Sequence, residues 1–255
     1  MPGVGVTVAA SRLQLRLFGC FDVRVEDHSV EIARREQRLL AFLALRGRRS
    51  RSYVAGILWP DTPEHRALAS LRAAVLHSRK LVGDMLEVGR TTLALAPEVS
   101  VDVQDMLHSL GGIGQSPDGD AREALVRLAS ADLLPGWYDD WVLFEKERLQ
   151  HIRIRALEAL AERELLGGEP ELALTASLEA VALEPLRESA HAIAIRAHLR
   201  AGNPAAAVRE YEGYRRRLQT ELAIAPSPEL ARLVPVTGIP GPRNGSPAPR
   251  SRPGV

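Results

Sequence analysis

"TPEHRALASLRAAVLHSRKLVGDMLEVGRTTLALA", residues Thr62 to Ala96, is the stretch that decides the fold. It opens on a hydroxyl, a proline and an acid, Thr62-Pro63-Glu64. That is the composition of a helix start with Thr62 as N-cap and Pro63 in the first helical position. Projected at 100° per residue from Leu71, the side chains of Leu68, Val75, Ser78 and Val82 fall in one narrow stripe. The sequence therefore predicts a helix to about Val82 with that stripe against a core. From Leu86 to Ala96 apolar and polar residues alternate around Gly89-Arg90, which reads as two strands and a tight turn. A helix followed at once by a hairpin is the closing half of a winged helix-turn-helix.

Upstream, "LQLRLFGCFDVRVEDHSVEI" from Leu13 alternates with period two, placing Leu13, Leu15 and Leu17 on one face and Phe21, Val23 and Val25 on another. Two or three short strands are expected there, then helices over Glu36 to Arg46 and Ser52 to Leu58. Downstream the chain is helical. "GEPELAL" at Gly168 and "GNPAAAV" at Gly202 lie 34 residues apart, the period of tetratricopeptide repeats. Ala173 matches Ala207, Ala180 matches Tyr214, and Pro185 stops the second helix of the first repeat. The helices around Trp137, Trp141 and Phe144 are expected to complete the stack. The fold class is mainly α with a small β component. Four segments follow: a disordered N-terminus over 1–11, a winged helix over 12–100, a helical repeat domain over 101–234, and a disordered Pro/Gly-rich tail over 235–255. "SLGGIGQSPDGD", Ser109 to Asp120, is expected to be a loop.

The net charge of +1 hides two halves of opposite sign. Between Arg34 and Arg90 there are 12 Lys+Arg against 5 Asp+Glu, a net +7, whereas Val101 to Val234 carries 15 against 22, a net −7. The first window suits a phosphate backbone and the second would repel one. Only two of the 33 basic residues are lysine, Lys80 and Lys146. Opposite the core stripe of the third helix lie Arg66, Ala69, Ala73, Leu76, His77 and Lys80, with Arg72 and Arg79 on the flanks. Small residues there let a helix backbone seat deeply in a major groove. Arginine can bond guanine twice, lysine and histidine reach phosphate or base acceptors, and Ala73 and Leu76 can meet thymine methyl groups. Arg90 and Thr91 tip the hairpin where a wing touches the neighbouring groove. Arg51, with Arg34, Arg35, Arg48 and Arg49, brackets the first helix as a phosphate clamp.

Enzymatic chemistry finds no support. Asp139, Asp140, Glu145 and Glu147 have no associated nucleophile, histidine or glycine-rich loop and read as an acidic helix start. His191 and His198 stand two turns apart, too far to share a metal, and read as packing or surface residues. One cysteine, Cys20, is expected to be a small buried residue and indicates a reducing, cytoplasmic setting. No metal, cofactor, export signal or membrane span is expected.

"LFGCFDVRV", "LWPDTPEHRALASLR", and above all "VALEPLRESAH" followed by "EYEGYRRRL" and "PSPEL" resemble the Streptomyces antibiotic regulatory protein (SARP) family, over roughly Leu13 to Val234. The resemblance implies an OmpR-type winged helix followed by a TPR-like bacterial transcriptional activator domain. It also implies a transcription activator that binds direct repeats near a promoter and recruits RNA polymerase through its sigma factor or other subunits, often at secondary-metabolite genes. By position it makes Arg72, Ala73, His77, Arg79 and Lys80 the recognition residues and Arg90 the wing contact. His77 stands where relatives commonly carry arginine, and Ser78 where they carry a core leucine, which implies a looser helix end. The ATPase, sensor and receiver modules of larger relatives are not expected in this chain. Direct repeats need two reading heads, which points to a homodimer on nucleoid DNA. The alternatives are a ligand-gated regulator or repressor of the same build, or a repeat-domain adaptor that does not bind DNA.

Overall fold

The computed structural model describes residues 13–112, 123, 125–126 and 132–234. The two tails assigned to disorder, and most of the Ser109–Asp120 loop, lie outside the described residues. The N-terminal part has four sheet strands, β1 (Leu13–Arg16), β2 (Asp22–Val25), β3 (His28–Ser29) and β7 (Val99–Val101), in the order β3-β2-β1-β7. β1 and β2 are antiparallel, with Leu15 opposite Val23, while β7 joins β1 in parallel. Leu15, Leu17 and Val23 are buried as the alternation requires. β7 was not foreseen, since three residues of "VSV" carry too little pattern to read.

Three helices follow: α1 (Arg34–Arg46), α2 (Arg51–Leu58) and α3 (Glu64–Val82). A short 3₁₀ turn (Gly83–Met85) leads into a second sheet of β4 (Arg49–Ser50), β6 (Thr92–Leu95) and β5 (Leu86–Val88), in the order β4-β6-β5. This is the winged helix anticipated from Thr62–Ala96. Thr62, however, does not cap α3. Pro63 occupies the N-cap position and its carbonyl accepts from the amides of Arg66 and Ala67. Proline has no amide to satisfy and its φ suits a helix entry, so the start slips by one residue.

α4 (Asp102–Gly112) carries helix four residues into the expected loop. Further along, the described residues include α5 (Asp140–Gly167), α6 (Pro170–Leu183), α7 (Glu188–Arg200), α8 (Pro204–Leu222) and α9 (Pro228–Leu233). The 34-residue spacing has a physical basis. Gly168 and Gly202 end α5 and α7 at positive φ of 85° and 72°, and Pro170 and Pro204 open the next helices where a missing amide costs nothing. Ala173 and Ala207 are fully buried at equivalent positions, and so are Ala180 and Tyr214.

α5, which carries Trp141 and Phe144, packs against α6 and α7 as expected of the stack, and the tryptophans at its start reach the winged helix as well. Trp137 stacks on Phe21 with centroids 5.7 Å apart, Trp141 meets Phe42 edge-on at 5.4 Å, and the Arg34 guanidinium lies 3.5 Å above Trp137. Phe144 is exposed. These rings join the winged helix to the helical part, because both surfaces there are apolar and need covering. One core runs from Leu15 to Ile193. β1 is extended past its end into the same junction: Phe18 bridges Leu133, the Leu17 carbonyl accepts from Leu134, and the Asp132 carbonyl accepts from Gly19. Cys20, expected to be buried, is exposed next to this bend, since Gly19 at φ 73° turns the chain outward.

Candidate nucleic-acid interface

α3 lies against α1 and α2 along Ala67, Leu71, Ala74, Val75, Ser78 and Val82, all buried. The core stripe is therefore slightly rotated from the expected one: Ala67 and Ala74 join it and Leu68 is only half-buried. Buried alanines leave room for close helix packing, a signal that a count of large apolar residues overlooks. The opposite face is open. Arg66, Ala69, Arg72, Leu76, His77, Arg79 and Lys80 are exposed, Leu76 to 69%, with Ala73 half-buried among them.

The hairpin that follows is held at a fixed angle to this helix. Gly89 closes it by donating its amide to the Thr92 carbonyl, and a Cβ at Gly89 would stand 2.9 Å from the Thr92 hydroxyl and 3.3 Å from its carbonyl oxygen, so a side chain there would force the Thr92 hydroxyl aside. Arg90 and Thr91 are exposed at the tip. Arg51 donates its backbone amide to the Thr91 carbonyl (2.9 Å) and its guanidinium to the Gly89 carbonyl (3.2 Å). Its side chain is thereby turned to positioning the wing. α2 starts at this point with the Ser50 hydroxyl as its cap.

The basic residues of the window divide into two sets. Arg34 and Arg38 pair with Asp139 (3.3 and 2.8 Å), Arg46 pairs with the buried Glu145, Arg35 with the buried Glu36, and Arg48 with Glu87. Arg49 donates to the Arg48 carbonyl. Each arginine of the expected clamp around α1 thus has a partner within the protein, and the start of α5 supplies it for Arg34. By contrast, among the described residues no ion pair involves Arg66, Arg72, Arg79, Lys80 or Arg90. The exposed face of α3 carries a stripe of cations outside any ion pair, and the tip of the hairpin that follows it carries another.

The "LEPLRESAH" motif turns out to be a structural knot. Arg187 grips Glu158 of α5 with two hydrogen bonds (2.7 and 2.9 Å), Ser189 adds a third, and Glu188 accepts from the Ser227 amide ahead of α9. Burial raises the Glu158 carboxyl, but the bonds from Arg187 and Ser189 outweigh it and hold the group below its ordinary value. His191 is buried, stacked 4.2 Å from the Tyr214 ring, with one ring nitrogen on Glu210 (2.7 Å) and the other on the Pro185 carbonyl (3.0 Å). The hydrogen bond from His191 lowers the Glu210 carboxyl. His191 is therefore a packing residue tied into a network, which isolated spacing could not reveal. Among the described residues no group of three potential metal ligands occurs, and no helix is long and apolar enough to cross a membrane.

Comparisons with known proteins agree with this layout. The family model described as "Bacterial transcriptional activator domain" matches residues 108–235. The regulatory protein AfsR of Streptomyces griseus is 28% identical over 226 residues, covering 78% of this chain. The chain spans only 22% of that relative's length. Mycobacterium tuberculosis EmbR, solved in complex with a low-affinity phosphopeptide, superposes with a TM-score of 0.72 at 21% identity, over 87% of this chain and 64% of EmbR. That likeness extends to the fold.

Proposed function

The chain belongs to the bacterial transcriptional activator domain family and is a SARP-type regulator, a winged helix joined to that domain, and on this premise we propose that it is a sequence-specific DNA-binding transcription activator. α3 enters the major groove with Arg66, Arg72, Ala73, Leu76, His77, Arg79 and Lys80, while Arg90 and Thr91 on the wing meet the adjacent backbone or minor groove. Residues 12–100 act as the reading part and 101–234 as the part that recruits RNA polymerase. Two protomers occupy a direct repeat near a promoter, in the cytoplasm on nucleoid DNA, with secondary-metabolite genes as the expected targets.

The observation that carries this reading is the partition of the arginines. Cations that have an acid available inside the fold use it, and the cations of α3 and the wing tip are left facing solvent with small residues between them. A merely solvated helix has no reason to collect unpaired charge beside a glycine-turned hairpin.

Selection from a random duplex pool with the full chain at near-physiological salt tests it. Enrichment of a short direct repeat at one-turn spacing is expected. Arg79→Ala should weaken binding by about 1–3 kcal/mol and relax preference at one position, whereas Lys80→Ala should weaken it uniformly and lower the salt slope by about 1. No enrichment by a folded chain would move the weight to the adaptor reading.

A further inference from the structure

On the open face of α3, His77 has one of its two ring nitrogens engaged within the protein. Its Nδ1 lies 3.3 Å from Nη2 of Arg35 on α1 and 3.5 Å from Oε1 of Glu36. Arg35 donates to the same Glu36 oxygen through Nε (3.0 Å) and Nη2 (2.8 Å), and Glu36 is almost wholly buried. A guanidinium has donors and no acceptor, so in its contact with His77 the ring nitrogen must accept. At 3.5 Å an N–H from His77 to Glu36 is beyond ordinary hydrogen-bond reach, and it would point at an arginine N–H. The second hydrogen of Arg35 Nη2 therefore takes the Nδ1 lone pair. The proton of the neutral ring resides on Nε2, the nitrogen at the outer end of a side chain that is 61% exposed.

We infer that Arg35 acts as a positioning residue for DNA specificity: anchored by Glu36, it fixes His77 as an Nε2–H donor, which selects guanine at one base pair of the major groove. This rests on the reading of α3 as the recognition helix and deepens it. Guanine displays two acceptors, N7 and O6, on its major-groove edge. Adenine sets an amino donor beside N7, and cytosine offers a donor alone. Thymine offers only O4, beside its methyl group, so a donor held at Nε2 meets two acceptors on guanine, one on adenine or thymine and none on cytosine. Neither Arg35 nor Glu36 need touch DNA for this, because they act on the ring from the protein side.

Two measurements on the full chain test the inference. Long-range proton–nitrogen spectra of histidine-labelled protein at pH 8 without DNA, with His77 assigned by the signal lost in His77→Ala, should place the proton on Nε2. A proton on Nδ1 overturns the inference whether or not the protein binds DNA. Random-duplex selection should then show one guanine position whose preference falls roughly five- to tenfold in His77→Ala and in Arg35→Ala at the same base pair, other positions being retained. Replacing that guanine by 7-deazaguanine should weaken wild-type binding by a similar factor and leave His77→Ala binding unchanged. An unaltered preference in His77→Ala, whose exposed side chain is not needed for folding, overturns the proposal while leaving DNA reading intact. Failure of the wild type to enrich any sequence overturns both.

Discussion

Ser78 stands in the buried stripe of α3 with its hydroxyl oxygen enclosed and without a hydrogen-bond partner among the described residues. A buried hydroxyl in that state carries an uncompensated desolvation cost, so Ser78→Ala should raise stability by about 1 kcal/mol, measured by urea denaturation with an unchanged slope. A loss of stability would show that the hydroxyl has a partner. Tyr214 offers a second single-residue test. Its phenol is pushed up to about 12, first by burial and then by the charge of Glu188, while its hydroxyl donates to the Leu186 carbonyl (3.2 Å). A folded value above the unfolded one means that this contribution is complete below pH 10 and is lost as pH rises through about 12. Ultraviolet titration should show one of the four tyrosines ionising there, and Tyr214→Phe should remove that step.

The helices of the second half were legible because their punctuation is chemical. Glycine at positive φ and proline at the first helical position mark the joints after Gly168 and Gly202, and small residues mark the contacts between helices. Side-chain pairing was not legible, since the knot around Arg187 joins residues 29 positions apart and its geometry exists only after folding. That knot predicts acid sensitivity. Glu158 and Glu210 both have depressed folded values, so their contribution is present above their ordinary value of 4.5 and is lost as pH falls through the lower folded values. Asp102 opposes them. Burial raises its carboxyl despite the amides of Leu17, Phe18 and Val103 that donate to it, so protonating Asp102 favours the folded state. The melting temperature should decline below about pH 4.5, and Glu158→Gln should flatten that decline. An equally steep fall in the variant would place the acid-sensitive group elsewhere.

At the scale of the molecule, the charge division was visible in the sequence and its consequence was not. The change of sign near Ser100 divides the sequence, and in the fold the two parts meet: Asp139 and Glu145 pair with Arg34, Arg38 and Arg46 of α1, the tryptophans seal the seam, and residues 100 and 101 both lie in β7. Trp137 and Trp141 were read by their position in a helical half, whereas what governs them is the uncovered aromatic surface of Phe21 and Phe42 on the other half. The full chain should accordingly unfold in one transition, with calorimetric and van't Hoff enthalpies equal, and a fragment ending at residue 100 should lack cooperative unfolding. Two resolved transitions would contradict a shared core.

β1 has one further consequence, which concerns synthesis. The strand is made near the beginning of translation, yet its neighbour β7 and the amide of Leu134 that closes its end come much later, the latter 117 positions after Leu17. At roughly 5–20 residues per second the ribosome takes about 6–23 seconds to bridge that interval. For the first part of that interval the nascent N-terminal half lacks the edge strand β7, and throughout it lacks the lid of its core. The winged helix is thus completed only once part of the helical domain has emerged, so on the proposed function a truncated translation product would compete poorly for DNA.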